Sequence, residues 1–108
     1  FDPEACRRVV SAAKYIVHVS DGAPDPSGVR LLTLRVVQST LPLVDAEDIF
    51  VEVLGLVEAC AAPEDPPLQA QASRLLDVVA DNLGAAHLDR LVGVCAALQG
   101  AAGARRAL

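Results

Sequence analysis

Residues 49–62 read IFVEVLGLVEACAA, and Glu52 and Glu58 are the only clearly polar side chains among them. A helix with this pattern is apolar on most of its circumference. It has no broad face to give to water, so it must lie between neighbours. The stretch therefore predicts an all-α fold in layers, with this segment as an internal helix over about 46–61.

The flanking sequence supplies the neighbours. Asp45 is the expected cap of the internal helix, with Glu47 and Asp48 in its first turn, where acids favour the positive end of the helix dipole. A first helix is expected over about 3–19. Asp2 is its cap, Pro3 its first residue, and Phe1 and Cys6 stand where a hydrophobic staple would pair. Its inner stripe reads Cys6, Val9, Val10, Ala13, Ile16 and Val17. A second helix, 26–41, opens on Asp25-Pro26 and stops before Pro42, with Val29, Leu32, Val36, Val37 and Thr40 inward. A fourth, 66–83, opens on Asp65-Pro66, with Leu68, Ala72, Leu75, Leu76, Val79 and Leu83 inward and Gly84 as its C-terminal cap. A fifth runs over 86–99, with Leu88, Leu91, Val92, Cys95 and Leu98 inward, and Gly100 ends it. Residues 100–108 form an Ala/Arg tail. No segment alternates with the period of a strand.

The starts have a rhythm. Asp25, Asp45 and Asp65 are spaced by 20 residues, and an offset of 39 places Val29 on Leu68, Arg35 on Arg74 and Val53 on Val92. Units of about 40 residues with two helices each fall in the HEAT and armadillo range. Over roughly residues 25–99 the chain resembles a short stretch of HEAT/armadillo-like α-solenoid. Val29-Arg30 matches that family's frequent Val-Arg near a helix start. The resemblance implies hairpins stacked to cover one another's apolar faces, and a scaffold that binds another protein without catalysis. A closed five-helix bundle with even helix lengths is the alternative.

Composition agrees with close helix packing. Hydrophobic residues make up 53% and aromatics 3%, so the core must be built from Leu, Val and Ala. The chain begins with Phe1 and lacks Met, so a piece of a longer protein is expected. The net charge of −5 argues against nucleic acid, which needs a basic face. Arg7-Arg8 and Arg105-Arg106 read as solvated pairs. No apolar run reaches the roughly 18–20 residues that a spanning helix needs, and no signal peptide is visible.

Cys6, Cys60 and Cys95 are odd in number, widely spaced and set in apolar runs, and Asn82 is in no glycosylation sequon. These features favour a cytoplasmic or other intracellular setting, with the thiols in the core. Cys6 and His18, or Cys95 and His87, are too far apart on one helix to act as nucleophile and base. Asp45 and Asp48 suit capping better than a cation loop, and no cysteine or histidine pair has metal-ligand spacing. No metal, cofactor, small-molecule ligand or enzymatic activity is expected. Arg35 and Arg74, equivalent by the 39-residue offset, are the candidate interaction residues if they share an exposed ridge. Pairing with acids such as Asp77 is the plainer reading.

The expected function is thus a non-catalytic interaction or scaffold module, its partner another protein or the rest of its own chain. In a second reading, residues 45–49 through Cys60, Pro63 and Gln69 are similar in rhythm to the helical part of autoproteolytic ectodomains of adhesion receptors and polycystins. That resemblance implies a passive support for a cleavage site elsewhere. The absent sequon and odd cysteine count speak against it.

Overall fold

A computed structural model describes residues 3–41, 46–61 and 64–107. They form five α-helices: α1 (Pro3–Val19), α2 (Pro26–Thr40), α3 (Glu47–Ala59), α4 (Pro66–Asn82) and α5 (Leu88–Ala107). No strand occurs among the described residues. The expected roles of Phe1, Asp2, Pro42, Asp45 and Pro63 lie outside them.

The helix starts follow local chemistry. Asp25 accepts a hydrogen bond from the Gly28 amide at 3.1 Å, and Asp65 accepts one from Leu68 at 3.3 Å. Each cap is followed by proline at the first helical position, where a missing N–H leaves nothing unpaired. A Cβ at Gly28 would meet the Asp25 carboxylate where it now stands, so a larger residue there makes that side chain shift. α3 starts one residue later than expected, with Ala46 in the cap position and no side-chain cap bond.

The helices pack as a two-wide ladder. α1 lies against α2 and α3, α2 against α1 and α4, α3 against α4, and α5 against both α3 and α4. The principal-axis extents are 44 × 39 × 17 Å. The smallest matches two helix layers, whose axes lie about 8–10 Å apart. α3 is internal, as residues 49–62 require: Ile49, Phe50, Val53, Leu54, Leu56 and Val57 are all buried. The whole expected stripe of α4 is buried too.

Two expected stripes are corrected. In α2 the buried residues are Thr33, Leu34, Val37 and Thr40, while Leu32 and Val36 are 62% and 55% exposed. In α5 Val94 and Leu98 are buried, whereas Leu88 and Val92 are 57% and 60% exposed and Cys95 is exposed. Both helices carry apolar residues on more than one face, and periodicity alone cannot choose the face that neighbours cover. Ile16 of α1 is likewise 40% exposed. Gly84 is no left-handed cap: its φ of −81° is extended, and the chain passes straight into a 3-10 turn at Ala85–His87. α5 continues past Gly100 to Ala107.

Polar contacts set the register. Arg7 grips Asp48 with two hydrogen bonds, 3.1 and 3.2 Å, and Lys14 meets Glu52 at 2.5 Å, joining α1 to α3. Arg7 is therefore a cross-helix partner rather than simple solvated surface. The α1–α2 turn is held by Arg30, whose Nε donates to Ser20 Oγ at 2.8 Å and whose Nη2 pairs with Asp21. His87, in the turn before α5, meets Glu47 at 2.7 Å, and Gln69 donates to the Leu98 carbonyl of α5.

Gly28 gives a double-mutant test. In a helix interior Gly→Ala gains about 0.5–1 kcal/mol, but here it also crowds a cap worth about 1 kcal/mol. Gly28→Ala is expected to leave the urea midpoint nearly unchanged. In an Asp25→Ala background the same change should stabilise the fold by about 0.5–1 kcal/mol. A clear gain in the wild-type background would contradict the clash.

Candidate functional site

The ladder leaves several concave surfaces among the described residues. Between α1, α3 and α5 lies a cleft of about 380 Å³, where Lys14, His18, Glu52 and Arg90 surround Gly55. Lys14 and Glu52 neutralise each other there. Along the outside of α1 and α2 runs a groove of about 340 Å³ lined by Val9, Ala12, Ile16, Leu32 and Val36, nearly all apolar. Its walls come from α1 and α2 alone.

The third surface is a groove of about 350 Å³ between α2 and α4, and it holds both candidate residues. Arg35, Gln38 and Ser39 line one wall, and Gln71, Arg74 and Val78 the other. The spacings i, i+3, i+4 on α2 and i, i+3, i+7 on α4 each place three side chains on one helix face. Gln71, 5% exposed, donates to the half-buried Gln38 across the floor. Among the described residues neither Arg35 nor Arg74 has an ion-pair partner, so the expected pairing of Arg74 with Asp77 does not form. The two arginines aligned by the 39-residue offset thus line one groove.

The cysteines divide. Cys6 is buried, with its sulfur 3.7 Å from Thr40 Oγ1. Cys60 is buried at the end of α3. Burial pushes its thiol up from the ordinary 9.0 to about 11, with the positive charge of Arg30 pulling the other way. Cys95 is exposed, against the expectation of a core thiol. Every buried side-chain nitrogen and oxygen among the described residues has a hydrogen-bond partner. Among those residues no cluster of three or more His, Cys, Asp or Glu could hold a metal ion, and no helix is long and apolar enough to cross a membrane.

The ion-pair rung of α1 and α3 was not legible in advance, since its partners are 41 residues apart. It gives a pH dependence. The hydrogen bond from Arg7, and then its charge, hold the Asp48 carboxyl below the ordinary 3.8, with burial working against them. A depressed carboxylate stabilises the fold above its unfolded pKa, and that stability is lost as pH falls through the folded value. Urea unfolding from neutral pH to below 3.8 should show an acid loss that is smaller in Asp48→Asn. An unchanged acid limb would remove this pair from the account.

The thiols give a second test. In the native chain a disulfide-exchange reagent should modify Cys95 rapidly while Cys6 and Cys60 stay protected, and unfolding should release all three. Because the folded Cys60 pKa is raised, stability should also decline as pH rises between 9.0 and about 11. Rapid native modification of Cys60 would contradict its burial. Among known proteins, no family model, curated sequence or solved structure matches the chain significantly.

Proposed function

We propose that this chain is a non-catalytic protein-interaction scaffold, a short HEAT/armadillo-like stack whose outer α1–α2 face receives a further helical layer. The observation that carries the reading is the apolar groove of Val9, Ala12, Ile16, Leu32 and Val36. Contiguous apolar surface of this kind marks interaction sites in folded proteins. The ladder supports it as well. α3 and α4 cover one side of the first hairpin, and the same kind of covering fits the other side. An intracellular setting is supported by three unpaired thiols, two of them in the core.

The face is tested with Leu32→Glu combined with Val36→Glu. Both side chains are more than half exposed, so helicity by circular dichroism should be kept and stability should change by about 0.5 kcal/mol or less per site. Affinity capture from a cell lysate, quantified by mass spectrometry, should yield proteins retained by the wild-type chain and lost with the variant. Equal capture by both, capture by neither, or a fall of several kcal/mol in stability would each refute the proposed face.

A further inference from the structure

We infer that the α2–α4 groove is a docking site for an extended acidic segment of another protein, its carboxylates taken by Arg35 and Arg74. This surface is separate from the apolar α1–α2 face and stands on different observations.

The charge distribution is the first. α2 contains no acidic residue, and its only charged side chains are Arg30 and Arg35. Arg30 is committed to Ser20 and Asp21, which leaves Arg35 as the charge on α2 directed to no internal partner among the described residues. On α4, Asp77 lies off the groove, and Asp81 stands about 10 Å along the helix axis from Arg74 at about 1.5 Å per residue. In a chain of net charge −5, two unpaired guanidinium groups on one groove are a local inversion of sign. An acidic ligand is attracted there. The acids of α3, by contrast, are largely engaged: Glu47 with His87, Asp48 with Arg7 and Glu52 with Lys14.

The floor is the second observation. Gln38 uses its carbonyl oxygen to accept from Gln71 and keeps its amide N–H groups for a ligand carbonyl. Ser39 donates its hydroxyl to the Val36 carbonyl and keeps acceptor capacity. The groove therefore offers guanidinium groups for carboxylates and a carboxamide for the main chain of an extended peptide. In extended backbone, side chains two residues apart lie on one side, about 6.6 Å apart. Alternate acidic residues could then face the two arginines while the main chain follows the glutamines. A nucleic acid strand is disfavoured, because its continuous phosphates would run beyond the groove into acidic surface.

The test uses the whole chain and an octapeptide of alternating Glu and Ser carrying a neutral fluorophore, read by fluorescence anisotropy. Binding is expected, with the matched Gln-Ser peptide and a labelled thymidine octanucleotide binding at least about tenfold more weakly. Arg35→Glu and Arg74→Glu should each weaken the acidic peptide about three- to tenfold, and the pair more. Arg8→Glu, an equal charge change on exposed α1, should leave binding within about twofold. Arg35→Gln with Arg74→Gln removes the charges without adding acids and should also lose binding, with helicity retained. No binding to the wild-type chain, tighter binding of the oligonucleotide or the Gln-Ser peptide, or equal losses with Arg8→Glu would overturn the assignment. Leu32→Glu with Val36→Glu should leave peptide binding intact, which separates this site from the apolar face.

Discussion

The structure depends on one helix that leaves only a strip around Asp48, Glu52 and Ala59 to water. α3 buries Ile49, Phe50, Val53, Leu54, Leu56 and Val57 around most of its circumference, and Cys60 follows at its end. Fully burying one Val, Leu, Ile or Phe side chain is worth about 1.5–3 kcal/mol. No single neighbour could cover all of these. α1, α4 and α5 each take a portion, and α2 is held in place through α1 and α4. The ladder follows from this requirement. The exposed ion pairs between α1 and α3 add little stability by comparison. They fix how far one helix slides along the other, which apolar contact alone leaves loosely specified.

How much of this could be read in advance depended on how many faces of a helix are apolar. α4 has one apolar stripe, and all of it is buried as its spacing requires. Its start was legible because Asp65-Pro66 is a local signal that needs no tertiary contact, and Asp25-Pro26 behaves alike. α2 carries Leu31, Leu32, Leu34, Val36 and Val37 in a short span. Two overlapping stripes fit that pattern, and only the positions of α1 and α4 decide between them. The same ambiguity misplaced Leu88, Val92 and Cys95 in α5, which over residues 88–98 buries Val94 and Leu98.

Arg35 and Arg74, which the 39-residue offset aligns, line opposite walls of one groove. What the offset could not supply was the floor. The Gln38–Gln71 contact joins positions 33 residues apart, and no local pattern announces it. The Arg7–Asp48 rung was hidden likewise, since Asp48 at a helix start already had a sufficient local reading as a dipole-favouring acid.

Over residues 88–98, α5 rests on Val94 and Leu98, with Leu91 part-buried, and is tied by Gln69–Leu98, while the turn before it is tied by His87–Glu47. α3 and α4 share a much larger apolar interior with α1 and α2. Free energies of local opening follow the apolar contact that must be broken. Backbone amides of residues 88–98 should therefore exchange with solvent more readily than those of α3, which is covered by more neighbours.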